Sequence, residues 1–356
     1  MNRLRQQLNA LIQPILAIVL GLIVGMAAIQ IVHGSIIQTY TEMWNGAFGN
    51  FYFVTSTLAR ATPILLIALG VGFAFRAGVF NLGAEGQLVF GGIAAALTAL
   101  YLPGPFVVKM IGALLAGIMA GGVWSLLAGW MELKFKVQLV ISTLLLNYIA
   151  TYFASYLVSK PFQDRTGSAA LAQTKMLDAH LWLPKLFAGM PLHLGFVFAI
   201  LFALVLYICF RFTSTGYQIS MLGKNPFFGS YGGIHKQKIT LLSMFISGAL
   251  SGLAGTFEIM GTHYRFIDGA LTAPSYAWTG LMAALLANSN PIGTIFTSIL
   301  LAALQTGAMG VERNTDVPLE ISSVIQAVII LFISAKFAFK GFKVIKKRRK
   351  ADGAAV

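Results

Sequence analysis

The chain has 356 residues, 57% of them hydrophobic and only 10% charged, with a mean hydropathy of +0.79, which excludes an ordinary soluble domain. The formal net charge of +14 raises the question of nucleic acid. A nucleic-acid patch needs interleaved aromatics on a folded domain, whereas the charges here fall in the gaps between apolar runs.

Those runs, about as long as a bilayer core requires, roughly 20 residues, recur from end to end. The first lies beyond Arg3 and Arg5 and extends from Leu11 to Val32. It is longer than a secretory signal core and closes on no small-residue cleavage site, so it reads as a retained span. The second ends near Phe75 and carries Arg60 and Pro63. Others lie at 107–131, 137–158, 191–210, 239–257 and 321–335 and from Ile292 to Met309, with weaker ones at 86–102 and 276–287. The expectation is an all-α, polytopic transmembrane helical bundle of about ten spans. It forms one membrane domain over residues 1–356, embedded over 11–335 and ending in a basic tail over 336–356.

With the N-terminus in the cytoplasm and each run crossing once, the inner segments hold Arg3, Arg5, Arg76, Lys134, Lys136, Arg211, Lys224, Lys236 and Lys238. They also hold the basic tail from Lys336 to Lys350. The outer segments hold Lys109, Lys160, Arg165, Lys175, Lys185, Arg265 and Arg313. This excess of inner cations is the positive-inside pattern, so both termini are expected in the cytoplasm. The tail is expected to meet membrane lipid, at the anionic headgroups of the inner leaflet.

The most informative stretch runs from Arg76 to Gln87. Gly78, Gly83 and Gly86 each cost about 1 kcal/mol in a helix, so irregular backbone is expected. Asn81, Glu85 and Gln87 bring hydrogen-bonding groups that lipid cannot satisfy. Such backbone survives at membrane depth only where protein buries it or where it lines a watery cavity. Two readings stand: a short polar turn at the membrane surface, or part of a translocation pathway that these side chains line or brace. Glu85 either contacts substrate or pairs with Arg76 or Arg60. Arg60 itself either snorkels to the outer headgroups or faces the pathway, because a charge at that depth costs at least about 2.5 kcal/mol. Glu258 is comparable but nearer a span end, and Tyr264 and Arg265 just beyond it read as interfacial anchors.

The longest non-apolar stretch, Lys160 to Met190, reads as an ordered outer cap containing Pro161, Trp182 and Pro184. Cutting there leaves five spans on each side, and an odd number per half makes the halves inverted if they are repeats. The weak third span of each half lies beside a break, at Asn81 to Gln87 and at Asn288 to Pro291. Interrupted segments in corresponding positions point to a transporter's binding site, so Asn288 joins the candidate pathway residues. Gly117 with Gly121, and Gly248 with Gly252, have the spacing that lets helices approach closely.

No phosphate-binding loop of the GxxxxGK[ST] type is present, because Gly223 and Lys224 are followed by Asn225. Nor is there a nucleophile elbow or a zinc-protease motif. The single cysteine, Cys209, has no partner for a disulfide, and the five histidines show no ligand spacing. Neither catalytic residues nor metal ligands are expected.

These residues carry a resemblance. The stretch from Arg76 to Gln87, the inner loop from Thr215 to Ile234, the glycine-rich run from Ser247 to Gly255 and the break from Ala283 to Gly293 are similar to one family. So are Val317, Pro318 and the helix of Gln326. Together they resemble the permease subunits of ATP-binding-cassette importers for branched-chain amino acids, ribose-type sugars and nucleosides, the nucleoside and simple-sugar permeases above all. The resemblance implies a transport subunit in the plasma membrane of a prokaryote that performs no covalent chemistry. It implies a cytoplasmic ATPase that holds the ATP and magnesium, a second related permease subunit giving a heterodimer, and an extracytoplasmic substrate-binding lipoprotein. A nucleoside or a simple sugar would be the substrate, with an ion-coupled secondary transporter as the rival reading. The inner loop would dock on the ATPase. There Gly223 and the step from Asn225 to Pro226 mark a turn, and a short helix beyond it presents Phe227, Phe228 and Tyr231, with Gly233 following. The family usually has alanines after this Asn-Pro step, where this chain has Phe227, Phe228, Gly229 and Ser230.

Overall fold

The computed structural model describes residues 21–328 except 22, 32, 33, 167–170, 316, 318, 319, 321–323, 325 and 326. Most of the expected last span at 321–335, the basic tail, Pro318, Gln326 and most of the first run therefore lie outside the described residues. The helices, in order, are α1 (Ile23–Ile31), α2 (Ile36–Phe48), α3 (Phe51–Arg76), α4 (Ala84–Tyr101), α5 (Phe106–Phe135), α6 (Leu139–Ser159), α7 (Gly195–Phe212), α8 (Ser214–Lys224), α9 (Pro226–Tyr231), α10 (Lys236–Glu258), α11 (Tyr276–Leu286) and α12 (Pro291–Asn314). A π-helical turn, Ile259–His263, continues α10. Among the described residues there is no strand, only two isolated bridges, from Gln173 to Ile267 and from Lys185 to His193.

Among the described residues, seven helices are long and apolar enough to cross a membrane, and up to eight if α1 and α2, bent by 117° at their break, count as one span. The described residues thus give a multi-pass helical membrane protein, while ten crossings are not reached by this count. The main departure is α11. At 11 residues and 1.5 Å per residue it spans roughly 16 Å, about half of a bilayer core.

The chain divides into two compact units, Thr55–Ala302 on one hand and Met1–Val54 with Ala303–Val356 on the other. The loop from 160 to 190, where the sequence suggests a cut, lies wholly inside the first. In the other unit, Met43, Val311 and Val317 form a small apolar core, and the Asn314 amide donates to the Glu42 carboxylate at 2.6 Å.

The central unit is built around α3, whose residues from Ala61 to Ala74 are all buried. A helix that is apolar all round belongs in a core. By contrast α5 is one-sided. It buries Ala113, Gly117, Gly121, Ser125 and Ala128 and exposes Leu115, Met119, Val123 and Leu127. Small residues face inward because helices in lipid gain contact by bringing backbones together, not by hiding apolar surface from water. The glycines at 117, 121, 248 and 252 meet here. A Cβ on Gly252 would stand 2.3 Å from the Gly117 carbonyl oxygen, and one on Gly91 of α4 would stand 2.3 Å from the Gly252 Cα. Helices α4, α5 and α10 therefore touch backbone to backbone.

The loop from 160 to 194 is tied to the segment after α10. Leu183, Leu177 and Thr174 donate their amides to the carbonyls of Met260, Tyr264 and Phe266. Trp182 stacks on Tyr264 with centroids 4.0 Å apart, so Tyr264 is a packing residue of this cap. Lys185 Nζ donates to the Gly261 carbonyl in the π-turn at 2.6 Å. Burial, with Lys185 nearby, pushes the His193 imidazole down to about 4, so it stays neutral at physiological pH.

Gly252→Ala forces a methyl into a backbone contact, an overpacking worth about 1–3 kcal/mol. The purified variant should melt several degrees below the parental chain in a thermal-shift assay. Gly293→Ala is the control, since a Cβ there meets nothing closer than 3.5 Å, and its midpoint should not move.

Candidate functional site

The helical rise of α3 ends at Arg76, and the chain turns through Gly78, whose φ of +76 glycine adopts without strain. Five residues of non-helical backbone follow before α4 begins at Ala84. The break thus lies within the stretch from Arg76 to Gln87 but is shorter than expected, ending at Gly83. Gly86 and Gln87 stand in the first turn of α4. Gly86 is there for closeness and not for irregularity, because a Cβ on it would stand 2.9 Å from the Cα of Asn147 on α6.

Asn81 and Gln87 are buried and form a reciprocal amide pair. Asn81 Nδ2 donates to Gln87 Oε1 at 3.2 Å, and Gln87 Nε2 donates to Asn81 Oδ1 at 3.1 Å. Asn81 also donates to Ser247 Oγ of α10 at 2.9 Å and accepts the Gly83 amide at 2.8 Å. Both its donors and both its acceptor sites are thus used. Asn147 fills the same role from α6, accepting the Gly86 amide at 2.8 Å and donating to the Leu82 carbonyl at 3.0 Å. The irregular backbone is held by side chains from two distant helices, as buried polar groups require.

Beside this cradle lies a cleft lined by Asn81, Glu85, Asn147, Val71, Trp278 and Leu281, among others, with room for about one water. Glu85 and Trp278 are its two partly exposed polar members. Trp278 is 42% exposed.

The other sequence candidates lie elsewhere. Arg60 belongs to a second polar cluster. Its guanidinium lies 5.9 Å from the centroid of Tyr276, whose hydroxyl donates to Glu258 Oε2 at 3.5 Å. His263 Nε2 is 3.8 Å from the same oxygen. Arg60 does not line the cleft, and α11 connects the two clusters through Tyr276 and Trp278. Arg76 turns its guanidinium onto the Phe210 ring at 4.3 Å. Asn288 is exposed and outside the cleft lining. It sits in the turn after α11 with a φ of +50.

The inner loop folds into α8 and α9. Asn225 caps α9, its Oδ1 accepting the Phe228 amide at 3.1 Å, and Pro226 takes the first helical position, where its missing amide costs nothing. Phe227, Phe228 and Tyr231 are 80%, 59% and 94% exposed. Gly233, with φ +79, closes α9, and Ile234 donates to the Gly229 carbonyl, a Schellman-type cap. Gly223 is not part of the turn. It lies inside α8, and a Cβ on it would stand 2.0 Å from the Arg76 carbonyl oxygen and 3.0 Å from the Gly78 nitrogen. This loop therefore packs directly on the residues that lead into Asn81.

Three residues of the site were missed in the sequence. Asn147 and Ser247 are polar positions inside apolar runs, and the cost of a polar group in hydrocarbon marks Asn147 by the same argument that marks Arg60. Trp278 carries no such mark.

A family model described as "Branched-chain amino acid transport system / permease component" matches residues 53–334. The chain is 35% identical over 340 residues to the guanosine ABC transporter permease protein NupP of Bacillus subtilis, covering 94% of this chain and 96% of NupP. It is 32% identical to the nucleoside ABC transporter permease protein NupB of Lactococcus lactis, covering 91% of this chain and 90% of NupB. A second Bacillus subtilis guanosine permease, NupQ, is 26% identical over 71% of this chain and 80% of its own length. No solved structure matches. A bundle of apolar helices with a braced polar cradle, matched by the family model over most of its length, belongs to the permease-component family of the branched-chain amino acid transport systems.

Proposed function

We propose that this chain is the permease subunit of an ATP-driven importer for nucleosides, moving substrate into the cytoplasm by alternating access. The observation that carries this reading is the likeness, over nine-tenths of the chain, to two permeases named for nucleosides. Partners follow from the same likeness: a second related permease, as NupP and NupQ occur together in one organism, a cytoplasmic ATPase holding ATP and magnesium, and an extracytoplasmic binding lipoprotein. Both chain termini lie in the cytoplasm in this reading, on the strength of the inner excess of lysine and arginine.

Roles divide by what each side chain has left to offer. Asn81, Gln87 and Asn147 spend their hydrogen bonds on protein and act as braces. Glu85 faces the cleft and contacts substrate in transit. The exposed aromatics of α9 dock on the ATPase, since interface anchors are commonly buried aromatics. Work enters through Gly223 and the Arg76–Gly78 backbone beneath it. The cleft, with room for about one water, is closed to a nucleoside, so opening requires helices to move.

The test is uptake of labelled guanosine by cells expressing the chain with its partners, and by right-side-out vesicles only when these are loaded with ATP. Glu85→Ala should reduce uptake at least about tenfold, the loss of one charge-assisted contact, with the chain still present in the membrane. Normal uptake by that variant removes Glu85 from the pathway. Gly223→Ala should leave the chain assembled yet lower uptake while ATP hydrolysis continues, because a methyl there pushes α8 off Arg76. Uptake that stays coupled to hydrolysis in this variant excludes the contact as the route of work.

A further inference from the structure

We propose that Trp278 is the platform on which the base of a nucleoside stacks while its ribose hydroxyls donate to Glu85; this rests on the nucleoside-import reading above. The cleft is lined by amides, a carboxylate and one aromatic ring. Of the amides, Asn81 makes four hydrogen bonds to protein, and the buried Asn147 gives one acceptor to Gly86 and one donor to Leu82. The members most open to a solute are the Glu85 carboxylate, an acceptor suited to a vicinal diol, and the indole beside it.

Several rings of the same unit are paired. Phe90 and Trp124 stack on each other at 4.1 Å, Trp182 on Tyr264 at 4.0 Å, and Phe73 lies 5.2 Å from Phe210. Among the described residues, no ring pairs with Trp278, which is 42% exposed at the edge of the cleft. A flat apolar face next to a carboxylate matches a molecule that joins a flat ring to a polyol. Stacking of a base on an aromatic side chain tolerates any base but strengthens with ring area, so purines should gain most.

The ring also sits on the short α11. Helix α11 is bounded by Ser275 at φ +54 and by Asn288 and Ser289 at φ +50 and +55, left-handed positions that non-glycine residues seldom take. Short elements held between such residues are where hinge motion is absorbed. Displacing α11 would open the cleft and carry Trp278 with it.

The experiment measures guanosine and cytidine uptake, below saturation, in cells where the full chain with its own partners is the only route. Trp278→Phe and Trp278→Leu are compared at matched abundance in the membrane. The Phe variant should stay within about threefold of the parental rate. The Leu variant should fall at least about tenfold, more for guanosine than for cytidine. Phe and Leu variants that transport alike overturn the platform. If the Leu variant does not accumulate, the Phe variant decides: a lowered guanosine-to-cytidine ratio supports the platform, and an unchanged ratio overturns it. A parental chain that imports neither nucleoside defeats the transport reading itself, a result distinct from parental import with indifferent Trp278 variants.

Discussion

Asn81 sets the constraint that organises the site. Its buried amide carries two donors and two acceptor sites, and each one left empty would cost about 1–3 kcal/mol. The fold answers all four, two from Gln87, one from Gly83 and one from Ser247. Ser247 can reach Asn81 only because α10 lies in backbone contact with α4 through the glycines at 91, 252 and 255. Close helix packing and the polar cradle are therefore one requirement: a bulkier seam between α4 and α10 would withdraw Ser247 and strand an amide.

The same loop faces two ways. Toward α4 it delivers Asn81 into the cradle; toward α3 it presents the Arg76 carbonyl and the Gly78 nitrogen to Gly223 of α8. Rigid contacts without side-chain slack transmit displacement, since close-packed interiors do not absorb it. On the opposite side of the cleft, α11 is bounded by left-handed residues and packs on α3, where a Cβ on Gly280 would stand 2.6 Å from Ile67. Alternating access needs one wall of such a site to move, and α11, at 11 residues, is shorter than α4 at 18.

Much of this was legible in the sequence because hydrocarbon imposes length and composition on any helix that crosses it. The bounds of α4, α6 and α11 fall close to those of the apolar runs at 86–102, 137–158 and 276–287. The cap of α9 was also legible, since Asn225 before Pro226 is a local signal. Two glycines were misread for a common reason. In sequence, Gly86 and Gly223 look like breaks, yet each sits in a helix at a place where another backbone arrives from far along the chain. The π-turn after Glu258 was hidden likewise, because its Gly261 carbonyl is met by Lys185 from a loop 76 residues away. Ser247 escaped notice because its partner is 166 residues distant, and nothing local distinguishes a serine that braces a cradle from one that bonds its own helix.

The claim at the centre of this account is that the cleft between α4 and α11 opens and closes during transport. A cysteine at Ala277, a cleft-lining position that is 7% exposed, reports it directly in a Cys209→Ala background, Cys209 being the only native thiol. With the partners present, labelling by a small soluble maleimide should be slow at rest, accelerate during ATP-driven turnover and be slowed again by saturating nucleoside. Labelling that is indifferent to both ATP and nucleoside would contradict the account.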